Sequence, residues 1–146
     1  MRKFFCVSVL IFIIAFSAPA FSSVRNFGRI NIEVPKGWNV ARDRDGSTIV
    51  LRSLNSGSTV RIKLSKLDGE PFERLARNIC ASHDGTDFKF NHKGNVTFTY
   101  KNIDDEECTA MVSSNEEFYM FLSASGEKEE LDEVIHSLKW NEDSKK

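Results

Sequence analysis

Apolar and polar residues alternate in short runs over most of the chain, and turn residues separate the runs. Ile30, Ile32 and Val34 alternate with Asn31 and Glu33, the period-two pattern of a half-buried strand. Pro35-Lys36-Gly37 ends it, because proline cannot donate to a ladder and glycine admits a turn. Trp38 and Val40 open a second short strand, Asp43-Arg44-Asp45-Gly46 reads as a hairpin turn, and residues 48–52 are rich in β-formers. After a turn at residues 55–58, Val60, Ile62 and Leu64 alternate with Arg61, Lys63 and Ser65.

The period changes after Asp68. Phe72, Leu75, Ala76, Ile79 and Cys80 recur at helical spacing behind Pro71, which suits a first turn, and Arg74, Arg77 and Asn78 take the wet side. Strands then resume. Phe88 and Phe90 form one. Val96, Phe98 and Tyr100 form the next. Cys108, Ala110 and Val112 lie on one face of a third, and Phe118, Met120 and Leu122 on one face of a fourth. Tyr119 and Phe121 make that last strand apolar on both faces. A central strand covered by a helix on each side has this pattern; the competing reading is an exposed patch for a partner. Glu127, Glu129 and Glu130 precede a second helical stripe of Leu131, Val134, Ile135 and Leu138. The predicted order is four strands, a helix, four strands and a helix, with connections short enough to make neighbouring strands antiparallel.

The start of the chain lies outside this pattern. Arg2 and Lys3 precede an apolar run over residues 4–16, and Ala18-Pro19-Ala20 closes it. A positive start, an apolar middle and an A-x-A end predict a secretory signal over residues 1–20, with a second cleavage point after Ser22. The run is shorter than the roughly 20 residues of a membrane span. Cys6 lies near its start, where no lipoprotein cysteine would be, so the mature chain is expected to keep no stable membrane anchor. Residues 21–27 read as a lead-in, 28–140 as a single α+β domain, and 141–146 as a polar tail.

Composition narrows the class. The chain has 146 residues and a net charge of −1, which argues against a nucleic-acid binder. Removal of residues 1–20 takes two of the basic residues and no acid. It leaves Cys80 and Cys108 as the only cysteines, and in an oxidising compartment such a pair is expected to form one disulfide. Two buried thiols or a shared metal are the alternatives, and the absence of any C-x-x-C speaks against the metal.

The segment Ile30-Asn31-Ile32-Glu33-Val34-Pro35-Lys36-Gly37-Trp38 resembles the opening of the PsbP/DcrB-like group of small, mostly extracytoplasmic proteins. The close, Val134-Ile135-His136-Ser137-Leu138-Lys139-Trp140, is similar to that group's final helix and its Ser-x-x-Trp-like end. The similarity runs from Gly28 to Trp140. It implies an antiparallel sheet flanked by helices in an α/β/α sandwich, and it carries no activity by itself. The chain departs from lipid-anchored DcrB-like proteins in lacking a suitable cysteine. Nothing in it singles out the photosystem II role of plant and cyanobacterial PsbP. No functional residue is carried over.

The residue classes that support catalysis are sparse. His83, His92 and His136 form no H-E-x-x-H or H-x-H motif and read as surface histidines; the sharper reading joins His83 to Asp84 and Asp87 as a weak metal site. No G-x-S-x-G elbow or phosphate-binding glycine motif occurs. The acids at residues 104–107 and 127–133 lack the spacing of a calcium loop and read as a solvated loop and a helix start. Asn95-Val96-Thr97 matches a glycosylation sequon by chance.

No catalytic residue, metal ligand or cofactor is therefore assigned. The leading expectation is an exported, non-catalytic accessory or binding protein with a protein or small-molecule partner, periplasmic or secreted, whose loops at residues 43–46, 91–95 and 104–107 face that partner. A small secreted hydrolase or metal-dependent enzyme with a loop-built site is the second reading. A cleft holding His83 or His92 beside carboxylates would favour it. A secreted interaction or inhibitor protein is the third, and an apolar patch of several hundred Å² would favour that one.

Overall fold

The computed structural model describes residues 22–142. The secretory signal read at residues 1–20 lies outside the described residues, as do the last four residues of the tail. Ten strands and two helices follow one another: β1 (Ser23–Asn26), β2 (Ile30–Val34), β3 (Trp38–Arg42), β4 (Thr48–Ser53), β5 (Thr59–Lys66), α1 (Phe72–Ser82), β6 (Thr86–Phe90), β7 (Val96–Lys101), β8 (Glu107–Ser114), β9 (Phe118–Ser125), α2 (Lys128–Ser137) and β10 (Lys139–Trp140). Two strands differ from the sequence pattern. β1 lies in the segment read as a lead-in, and β10 follows the last helix.

Seven strands form the main sheet in the order β3-β4-β5-β9-β8-β7-β6, and β1-β2-β10 form a small one. Every pairing is antiparallel. The two long hairpin systems meet at β5 and β9, where Ile62 pairs with Leu122 and Lys63 with Phe121.

Each face of the main sheet has its own core. On one, Ile30, Ile32 and Val34 of β2 and Leu131 and Val134 of α2 pack on Ile49, Leu51, Val60, Ile62, Met120 and Leu122. On the other, Ala76 and Cys80 of α1 pack on Val96, Phe98, Ala110 and Val112. β9 serves both. Its even positions from Phe118 to Ala124 are buried toward α2, while Tyr119 and Phe121 pack against the α1 core. β9 is thus a central strand with two apolar faces, buried on the α2 side and half-covered on the α1 side, and the layers make an α/β/α sandwich.

The two resemblance motifs are structural. Gly37 takes a left-handed φ of 84° after Pro35, and Trp38 packs on the α2-side core. Ser137 Oγ accepts the Glu33 N–H at 3.0 Å, joining α2 to β2. Trp140 Nε1 donates to the buried Ser113 Oγ at 3.0 Å, joining β10 to the main sheet.

The two helices are offset. α1 covers the β7–β8 side of its face and α2 covers the opposite face over β4, β5 and β9. On the α1 side, the surface of β5 and β4 is left bare.

Candidate functional site

Where the cover of α1 stops, the sheet surface drops into a cleft of about 560 Å³. One wall comes from β5. The alternation that turns Val60, Ile62 and the half-buried Leu64 toward α2 puts Arg61 and Lys63 on the bare face, where both are exposed. Strand register places Arg61 beside Ser123 and Lys63 beside Phe121. Neither cation has an ion pair or a side-chain hydrogen bond among the described residues. Thr48 of β4, the pairing partner of Lys63, extends this wall.

Tyr100 and Phe121 form the aromatic side of the cleft. Tyr100 reaches across β8, where Cys108 and Ala110 are small, and its hydroxyl is hydrogen-bonded to Ser123 Oγ on β9. Burial pushes the Tyr100 phenol above the usual tyrosine value. The hydrogen bond to Ser123 opposes this, the neighbouring Cys108 adds to it, and the charge of Arg61 works against it.

The end of α1 supplies the third element. His83 is the C-terminal cap of the helix, and its N–H donates to the Cys80 carbonyl at 3.2 Å. Its ring is half-buried, with centroids 4.9 Å from Tyr100 and 5.0 Å from Phe121. Nδ1 lies 2.8 Å from the Ile79 carbonyl oxygen. A carbonyl only accepts, so Nδ1 carries the proton in the neutral ring and Nε2 is the acceptor nitrogen. The surface reading of His83 is thus corrected: at the C-terminal end of α1 its ring packs against aromatic residues of β7 and β9 and is half-buried. His92 and His136 are exposed, as expected.

The loop joining β7 to β8 forms the far rim. Asn102 organises it. Its Oδ1 accepts the N–H of Asp104 at 2.9 Å and of Glu106 at 3.0 Å, and its Nδ2 donates to Glu106 at 3.0 Å. Asp104 and Glu106 line the cleft, and Ile103 at the loop tip is fully exposed. The cleft is therefore polarised, with cations on β5, acids on the loop and rings between.

Of the three loops expected to face a partner, only residues 104–107 border this cleft. The turns at 43–46 and 91–95 lie at the opposite end of the sheet, by the register of β4 with β5 and of β7 with β8. Asp84 lines a neighbouring depression with His83 and Asp87 does not, and no three His, Cys, Asp or Glu side chains gather in a metal-holding group among the described residues. The large exposed apolar residues Val24, Leu54, Phe90 and Ile103 fall on four separate elements.

The expected disulfide is not formed. Cys80 and Cys108 are two buried, free thiols. Cys80 Sγ sits against Gly85 and Phe98, so close that a Cβ on Gly85 would approach it to 2.6 Å. The Cys108 thiol is directed at the Glu106 carbonyl, 3.7 Å away. Both point inward as predicted, but toward different neighbours. Burial raises the Cys80 thiol above its ordinary value, more than the charge of Arg77 lowers it, which disfavours the reactive thiolate.

No family model matches the chain, and no curated protein matches it by sequence. Among solved structures it is similar to the solution structure of cyanobacterial PsbP (CyanoP) from Synechocystis sp. PCC 6803. The TM-score is 0.55 at 14% identity, over 83% of this chain and 92% of that one. The chain has the PsbP-like fold. At this identity the likeness fixes architecture and leaves the chemistry of the cleft to the residues of this chain. Among the described residues, no helix is long and apolar enough to cross a membrane.

The residues that sequence reasoning missed are Arg61, Lys63, Tyr100 and Ser123. Each sits in a regular strand, where alternation marks one face as wet but does not say that the wet face is concave.

Proposed function

We propose that the mature chain is a small exported accessory protein that works by binding, through the cleft between β5, the end of α1 and the β7–β8 loop. The observation that carries this reading is the pair Arg61 and Lys63, held without partners on a bare sheet face beside an aromatic wall. Small-ligand sites are concave, with a few convergent polar groups on an apolar base. The signal pattern at residues 1–20 supports export. Amide spectra of the mature protein, recorded with and without small charged and aromatic probes, test the binding reading. Ligand-induced shifts should cluster at Arg61, Lys63, Phe121 and Ser123. Saturable shifts confined to any other surface would refute the assignment of the cleft. Intact-mass analysis of the exported protein tests the leader, with loss of residues 1–20 or 1–22 expected.

One observation favours a second reading, a hydrolase. His83 lines the cleft with an acceptor nitrogen and a ring oriented by the Ile79 carbonyl, and Asp104 and Glu106 stand on the rim. A nucleophile hydrogen-bonded to that nitrogen is the element the reading still needs. Ester and phosphoester turnover that disappears in His83→Gln, with folding unchanged, would establish it over binding alone.

A further inference from the structure

The cleft contains enough chemistry to name a ligand class, and this step rests on the binding reading above. The bare face carries three cations in adjacent register positions. Arg52 pairs with Thr59 and Val50 with Arg61 on neighbouring strands, and Thr48 pairs with Lys63. No acid shares these positions. None of Arg52, Arg61 and Lys63 has an ion pair or side-chain hydrogen bond among the described residues. An exported chain with an overall excess of acid thus keeps a local positive field where its sheet is uncovered.

The opposite rim sets a limit on charge. Asp104 has no side-chain partner among the described residues, and Glu106 is held by Asn102. These carboxylates oppose a polyanion such as a nucleic acid or polyphosphate, and they tolerate a single negative charge placed at the β5 wall. Between the two walls Phe121, Tyr100 and His83 offer ring surface. The volume of about 560 Å³ suits a small molecule and is too small for a folded partner.

We infer that the cleft binds a small organic monoanion, a carboxylate on an aromatic or apolar body, with the carboxylate at Arg61 and Lys63 and the body over Phe121 and Tyr100. Guanidinium and ammonium groups donate charge-assisted hydrogen bonds to a carboxylate, and the rings remove its body from water.

The test titrates the mature protein with phenylacetate, benzyl alcohol, benzylamine and phenyl phosphate while amide spectra and binding heat are followed. Phenylacetate should bind most tightly and shift the resonances of Arg61, Lys63, Phe121 and Ser123. Added salt should weaken it. Arg61→Ala and Lys63→Ala should each lower its affinity about tenfold. Both side chains are exposed, so unchanged thermal melts should accompany the loss. Benzyl alcohol or benzylamine binding the cleft as tightly as phenylacetate would overturn the anion class and leave the binding reading standing. Tighter binding of the dianionic phenyl phosphate would overturn the monoanion selection assigned to the acidic rim. Silence of the cleft toward all four probes would overturn the ligand class and the binding reading together.

Discussion

Replacing Gly126 by alanine should destabilise the fold by about 2–6 kcal/mol, through a contact that does not involve the cleft. Gly126 joins β9 to α2 with a φ of 125°, in a region that side chains rarely enter. A Cβ there would come within 2.6 Å of Ser58 Cα and 2.7 Å of Ser58 Cβ, on the turn between β4 and β5. Ser58 cannot retreat, since it is 1% exposed and its Oγ accepts the Glu127 N–H at 2.9 Å and pairs with Ser56 Oγ at 2.7 Å. Backbone strain contributes about 1–3 kcal/mol and the enforced shift of Ser58 a similar amount. Urea unfolding followed by circular dichroism reads the sum. With a slope of about 2 kcal/mol/M, the midpoint should fall by about 1–3 M. Gly57→Ala is the control: its φ of 77° is also left-handed, but a Cβ there meets nothing within 4 Å. That variant should lose only the strain, about 1–2 kcal/mol. Equal losses in the two variants would refute the argument from close approach.

Other outcomes follow from the same geometry. Ser58→Ala should cost about 1–3 kcal/mol in the same urea assay, because it leaves the Glu127 N–H without its acceptor. Tyr100 keeps its phenol neutral beyond the ordinary value of 10.0, so its contribution to stability is whole below that pH and is lost as pH rises through the folded value. Stability scanned upward from pH 9 should fall less steeply in Tyr100→Phe, and phenolate absorbance should show one late-titrating tyrosine. Both thiols should react with an alkylating reagent slowly in the folded protein and fully in urea; a crosslinked Cys80–Cys108 peptide from unreduced protein would contradict the two buried thiols. His83→Ala should lower stability by about 1–3 kcal/mol through lost ring packing, while exposed His92→Ala should fall within about 0.5 kcal/mol of the parent protein.

Periodicity carried the fold far because most elements here obey one rule each. Val60 and Ile62 are buried and Leu64 half-buried where alternation puts them, and Ala76 and Cys80 form the inner stripe of α1. The doubly apolar strand was legible too, since Tyr119 and Phe121 have no reason to be in a strand with one wet face. Periodicity failed where contacts are made between distant segments. β1 lacks an alternating stripe and exists because its backbone pairs with β2. The cysteines illustrate the same boundary. Sequence puts both in the interior, but which sulfur meets which neighbour depends on Gly85, Phe98 and the Glu106 carbonyl, none of which is close to both cysteines in the chain. His83 was placed just past a helix, and only the packing of β7 and β9 against that helix makes a terminal histidine a half-buried wall of the cleft.

The position of the cleft follows from the proportions of the layers. Seven strands at about 4.8 Å spacing make a sheet about 29 Å wide. One helix is about 10 Å across, so α1 covers about two strands and the aromatic side chains flanking them. On the other face α2 shares the work with β2 and the small sheet, and Ile30, Ile32 and Val34 complete the cover. The α1 face has no second element, and its bare part begins at β9, where Phe121 has one edge in the core and another in the cleft. Any chain with this strand order and a single helix on that face would have a step there. What this chain adds is the content of the step. Solvation of the bare face alone asks only for polar residues, and serine or threonine, as at Thr48, Thr59 and Ser125, would satisfy it. Two cations at Arg61 and Lys63, unpaired and opposite two acids, exceed that demand, and the excess is the reason to look for a charged ligand at this place rather than at the equally polar turns of the opposite end.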